Sequence, residues 1–193
     1  EAIDRRILSA LKAMLMQGVC PCEEVLEIVR SRRTLFWYGD FENLYEAIGH
    51  AASLMSLRLA FRPTVSSLES GFENYTGEWH RIDFHYRKFV YHFRHAEHPE
   101  VLKKLLPFVE GRYVTFLREL GDAWQSAVDA MESWRIGGVT MQREFYDRFV
   151  APAVSDDQKK VYVIISDALR YEAGVELARR LAAQNRLEVE TSA

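Results

Sequence analysis

Apolar residues recur at spacings of three and four over roughly the first 150 positions, the signature of helices that each bury one face. Ile3, Ile7, Leu8, Leu11, Met14 and Leu15 share one stripe, and Gly18 closes it. A short second helix fits Glu23 to Arg30. Asp40 is the expected N-cap of a third, whose apolar positions run through Phe41, Leu44, Tyr45, Ile48, Ala52, Met55 and Leu59. Arg58 and Arg62 suit the negative end of that helix dipole, and Pro63 stops the element. Trp79, Ile82, Tyr86, Phe89 and Phe93 alternate threes and fours as a strict seam, with Phe84 and Tyr91 off it. A long helix is predicted from about Phe108 to Trp134, its stripe formed by Tyr113, Phe116, Leu117, Leu120, Trp124, Val128 and Met131. Gly137-Gly138 ends it, and Gln142 to Val150 gives another short amphipathic helix. A mainly α-helical bundle is therefore expected over residues 1–153.

The period changes after Pro152. Residues 154–160 are a polar connector. Val161-Tyr162-Val163-Ile164-Ile165 is a continuous β-branched and aromatic run, as in a strand buried on both faces. A helix is predicted from about Tyr171 to Gln184, closed by Asn185, and Leu187-Glu188-Val189-Glu190 begins a second strand. Residues 161–193 thus read as the first β-α-β unit of a doubly wound α/β domain. Such a unit cannot cover both faces of a parallel sheet alone, and the chain opens at Glu1 inside a helix, so a larger parent protein is expected.

Composition narrows the class. The chain has 193 residues, 48% hydrophobic and 27% charged, which is ordinary for a globular protein. A net charge of −3 gives no general attraction to nucleic acid or anionic membrane. No apolar run reaches the ~18 residues of a membrane span, and no signal peptide opens the chain. The two cysteines, Cys20 and Cys22, read as reduced thiols in a helix-to-helix turn, which suits the cytoplasm. Cys-x-Cys falls short of a zinc or redox motif.

Asp167 is the residue with candidate chemistry. It stands just past the carboxyl end of the predicted strand, where open parallel sheets bind ligands, and a carboxylate anchored there suits a metal ion. The alternative is an N-cap for the following helix, although Arg170 stands where a capping box wants Glu or Gln. There is no Gly-x-x-x-x-Gly-Lys loop and no Gly-x-Gly-x-x-Gly, and no second aspartate follows two residues on. A two-metal phosphatase survives the comparison best.

The run Val161-Tyr-Val-Ile-Ile-Ser-Asp-Ala-Leu-Arg-Tyr-Glu172 resembles the opening motif of the PglZ domain, a branch of the alkaline phosphatase superfamily. Tyr86-Arg-Lys-Phe-Val-Tyr-His92 and the helix bearing Trp124 and Trp134 resemble the helical region preceding that domain. PglZ proteins belong to BREX (bacteriophage exclusion) systems, which defend bacteria against phage alongside a DNA methyltransferase and ATPase components. The resemblance implies that Asp167 matches the superfamily's first metal-ligand aspartate. It implies two divalent ions, often zinc, clamping a phosphoester or phosphodiester, with a Ser, a Thr or a water as nucleophile. The nucleophile and the other ligands are expected beyond Ala193. The chain by itself is therefore expected to bind no stoichiometric metal and to be inactive. Other BREX proteins are the expected partners; a non-catalytic helical interaction module is the alternative reading.

Two further features invite a function. His80, His85, His92, His95 and His98 cluster, and His92/His95 or His95-x-x-His98 has metal-pair spacing, but His98 precedes Pro99. The same stretch is locally basic with interleaved tyrosines, a format that nucleic acid can stack on. The polar flanks of an interacting aromatic helix are the plainer reading of both. Trp37, Tyr38, Phe84 and Tyr91 lie off the assigned stripes and form a candidate partner surface.

Overall fold

The computed structural model describes residues 2–17, 21–133, 135–155, 160–184 and 188–191. Among them the helices are α1 (Ala2–Leu15), α2 (Cys22–Arg32), α3 (Tyr38–Ala60), α4 (Leu68–Asn74), α5 (His80–His95), α6 (Leu105–Asp129), α7 (Ala151–Val154) and α8 (Tyr171–Ala182). A π-helical turn, Tyr75–Trp79, runs α4 into α5, and a second, Tyr146–Val150, leads into α7. Pro99–Leu102 forms a 3-10 turn before α6.

The centre of the molecule is α3. It buries Phe41, Leu44, Tyr45, Ala47, Ile48, Ala51, Ala52, Leu54 and Met55, so apolar residues occupy most of its circumference, as a helix surrounded by others requires. Its most extensive pairing is with α5, and α1, α2 and α6 also pack on it. Leu8, Leu11 and Leu15 of α1, Val25 and Val29 of α2, and Phe116 of α6 complete the core. The predicted seam of α5 is the face it buries: Trp79, Ile82 and Phe89 are enclosed, and Tyr86 and Phe93 pack against the cluster.

Some boundaries differ from the sequence reading. Trp37, not Asp40, is the N-cap of α3, and Asp40 sits inside the first turn, where an acid still favours the dipole. The long helix begins at Leu105, with Pro107 tolerated in its first turn, and ends at Asp129. The sequence reading had no counterpart for α4. Ser67 caps it by accepting from the Ser70 N–H at 3.2 Å, while the Ser70 hydroxyl accepts from the Ser67 N–H at 3.0 Å. A reciprocal box built from two serines lacks the Glu or Gln that makes the motif easy to read.

The predicted β-α-β unit does not form: there is no strand among the described residues. Val161 to Ile165 carries no ladder pairing, and Tyr162, Ile164 and Ile165 are 83%, 91% and 90% exposed. Leu187 of the second predicted strand lies outside the described residues, and Glu188-Val189-Glu190 is unpaired. The helix between them does form, as α8. A helix closes its hydrogen bonds within its own segment, whereas a strand must take them from a neighbour, and none of the described residues forms a ladder with this run. α8 packs on α5 instead.

Candidate functional site

Asp167 is exposed in the turn that joins the extended apolar run to α8. It forms no hydrogen bond or ion pair with the described residues. The N-cap of α8 is Arg170, which makes no side-chain cap bond, so Asp167 is not spent on capping this helix. The next residue, Ala168, has φ 56°, a left-handed conformation uncommon for a residue with a Cβ. That turn separates Asp167 from the anchored residues that follow it.

The anchor is a buried polar cluster between α5 and α8. Asp83 of α5 is 2% exposed and accepts from the Tyr113 hydroxyl at 2.6 Å, the Tyr75 hydroxyl at 2.7 Å and the Arg170 guanidinium at 3.1 Å. Arg170 also donates to the Tyr113 oxygen at 3.2 Å, closing a ring of charge-assisted bonds. Burial, and then the bond to Asp83, pushes both tyrosine pKa values up, so both phenols stay protonated donors.

Glu172 is 1% exposed, and its oxygens make no hydrogen bond with the described residues. The Nε atoms of Arg87 and Arg170 both stand 3.5 Å from its Oε1. Glu176, one turn on, accepts from Arg87 at 2.6 Å and from Arg180 at 2.6 Å, with Lys88 at 3.5 Å. Burial would raise its carboxyl, but those cations outweigh it and hold the pKa down to about 2. Asp83, Arg87 and Lys88 on α5 thus interlock by charge with Arg170, Glu172 and Glu176 around α8.

The other sequence candidates lie on α3, on α5 and in the turns beside them. Trp37 is 57% exposed and meets Phe36 edge-on, and Tyr91 is 50% exposed, stacked on His95. Tyr38 is half-buried, its hydroxyl donating to Glu46 and its ring stacked on Tyr45. Phe84 is half-buried against His50 and His85. Of the histidines, His80 is buried under Tyr171, His95 bonds its own helix at Tyr91 O, and His98 lies 3.6 Å from Glu100. His92 groups instead with His50 and Glu46 of α3. Cys22 is buried at the start of α2, and Cys20 lies outside the described residues. An open groove of about 520 Å³ between α4 and α6, lined by Phe72, Tyr75, Leu117, Leu120 and Trp124, holds no carboxylate or histidine. No described helix is long and apolar enough to cross a membrane.

The interlocked cluster escaped the sequence reading because its members lie far apart along the chain. One signal was available: Asp83 sits directly beside seam residue Ile82 in an otherwise aromatic and basic helix.

Comparison with known proteins gives the class first. The family described as the BREX system PglZ alkaline phosphatase-like domain matches residues 145–193, the segment holding Asp167 and α8. Upstream residues are covered by whole-protein similarity. The chain is 34% identical over 183 residues to the alkaline phosphatase-like protein PglZ of Bacillus cereus (strain H3081.97), covering 92% of this chain and 21% of that protein. It is 29% identical over 203 residues to the alkaline phosphatase-like protein BrxZ of Escherichia coli O9:H4 (strain HS), covering 98% of this chain and 24% of that one. The domain match and both relatives support the PglZ family of BREX systems for this chain. It spans between a fifth and a quarter of the length of these relatives. No solved structure matches it.

Proposed function

We propose that this chain is the helical lead-in and the opening of a PglZ-type phosphatase or phosphodiesterase acting in phage defence, with Asp167 as the first ligand of its metal centre. One observation carries the reading. Asp167 presents an exposed carboxylate without a partner among the described residues, while Arg170 and Glu172, three and five positions later, are fixed to the bundle. A carboxylate held near an anchored helix start and left unpaired is available to a cation. Catalytic metal sites draw on three or more protein ligands, and Asp167 supplies one of them. A bound divalent ion, zinc being the family expectation, would polarise a phosphoryl oxygen and lower the pKa of a bound water.

Residues 1–153 then act as a platform that grips α8, 154–160 as the connector, and 161–193 as the start of the catalytic domain. Other BREX proteins remain the proposed partners. Leu35, Phe36 and Trp37, exposed together between α2 and α3, support a docking role for the helical region.

The test is Asp167→Ala in the longer protein that contains this segment. Its unfolding midpoint should stay at the wild-type value, because an exposed, unbonded side chain contributes within about 0.5 kcal/mol. Metal content and phosphodiester hydrolysis should fall together. Wild-type turnover in that variant would remove Asp167 from the site and leave the interaction-module reading.

A further inference from the structure

The α3–α5 interface brings together side chains that the phosphatase reading does not use. Glu46 and His50 lie one turn apart on α3, and His92 faces them from α5. Each offers a ligand atom, and these atoms lie within 4.8 Å of one another. Ligands on tetrahedral zinc at 2.0–2.1 Å are separated by about 3.4 Å, so the three are already near coordinating distance. The His50 and His92 rings are stacked, with centroids 5.5 Å apart and planes at 11°.

The hydrogen bonds around the trio fix which nitrogens are free. The Asn43 Nδ2 donates to the His95 carbonyl at 3.1 Å, which turns Asn43 Oδ1 toward His92 Nδ1 at 2.8 Å. An amide oxygen only accepts, so His92 Nδ1 carries the proton and its Nε2 holds the lone pair. His50 Nδ1 meets His85 Nδ1 at 2.9 Å. With the proton on His50, His85 is the acceptor and His50 Nε2 is free in the same way. A metal-bound histidine ordinarily donates its other N–H to such an acceptor.

Burial pushes the pKa of His50 down to about 3 and that of His85 down to about 4, and it lowers His92 as well. All three imidazoles are therefore neutral near pH 7, the state in which they bind metal. Glu46 accepts from Arg33 and from Tyr38, but its two oxygens offer about four lone-pair directions, so it can still reach a cation.

We propose that Glu46, His50 and His92 form a transition-metal site between α3 and α5, with His85 and Asn43 as its orienting acceptors. Imidazole and carboxylate donors suit zinc, cobalt or nickel better than magnesium or calcium. An ion there would clamp the most extensive helix pair of the bundle, remote in sequence from Asp167. The site stands independently of the phosphatase reading and departs from the sequence expectation of a metal-free chain.

The test is titration of the chelator-treated 193-residue chain with Co2+, read by its visible ligand-field absorption, followed by displacement with Zn2+. One equivalent should bind. His50→Gln and His92→Gln should each abolish the band, and His85→Gln should weaken binding about 10–100-fold, as loss of an orienting acceptor does. His95→Gln and His98→Gln should leave it unchanged. Long-range proton–nitrogen spectra of the wild-type chain provide the readout that no misfolded variant can obscure. Zn2+ should shift Nε2 of His50 and His92 while their Nδ1 atoms stay protonated. Absence of the band, shifts confined to His95 or His98, or binding lost with Asp167→Ala instead would each overturn the site.

Discussion

Asp83 accepts a hydrogen bond from Arg170 at 3.1 Å, joining residues 87 positions apart. Asp83 belongs to the bundle, and Arg170 belongs to the segment that matches the PglZ domain. The helical region and the start of that domain therefore share one buried electrostatic core. The boundary that the sequence pattern suggests at residues 154–160 is bridged in space by this contact.

Asp83→Ala should destabilise the chain by about 3 kcal/mol, because two phenol hydroxyls and a guanidinium lose the acceptor they share. Arg170→Ala should cost only about 0.5–1 kcal/mol, since that side chain is 53% exposed and water replaces its bonds. Urea unfolding monitored by circular dichroism measures both. Equal costs would show that the ring is held from the α8 side and not by the buried carboxylate.

The acid limb of stability should carry the signature of Glu176. Its carboxyl ionises at about 2 in the folded chain against 4.5 when unperturbed. A depressed folded pKa gives stability that is complete above about pH 4.5 and is lost as pH falls toward 2. Glu176→Gln should thus lie about 2–3 kcal/mol below wild type at pH 6, with the gap narrowing to under about 1 kcal/mol by pH 2.5. A gap of the same size at both pH values would mean that the loss is packing and not charge.

Gly71 lets α4 approach Trp124 of α6. A Cβ built at Gly71 would stand 2.4 Å from Trp124 Cζ3 and 2.9 Å from Val65 Cγ1. Gly71→Ala should therefore cost about 1–3 kcal/mol and shift the tryptophan emission, because a rigid indole has to move. Gly121→Ala, on α6 with open space around its Cβ, is the matched control and should be neutral or slightly stabilising. Similar losses for both would point to backbone effects in place of the contact.

The periodic stripes were legible because a helix is written into local spacing. Leu8, Leu11 and Leu15, the α3 positions from Phe41 to Met55 and the α5 seam are buried in or packed against the core as their three-and-four spacing requires, whereas Ile3 and Leu59, at the outer ends of their stripes, are 69% and 62% exposed. The PglZ-like motif was legible too, since its residues are contiguous. The sequence also called α8 correctly, from apolar residues that repeat within one segment. Helix ends were less legible: α3 starts at Tyr38 because Trp37 takes the cap geometry without any capping side chain to announce it.

What the sequence determined by itself was the helical character of the bundle, its buried faces and the identity of the segment around Asp167. Tertiary structure alone decided the pairings. It set Asp83 against Arg170, His50 against His92 and Gly71 against Trp124, none of which is marked by spacing. It also left Val161 to Ile165 unpaired, although their composition is that of a strand. The physical reason is common to all four. Helical hydrogen bonds and stripes are satisfied within a few residues, whereas ion pairs, close helix crossings and strand ladders exist only when a distant partner is present.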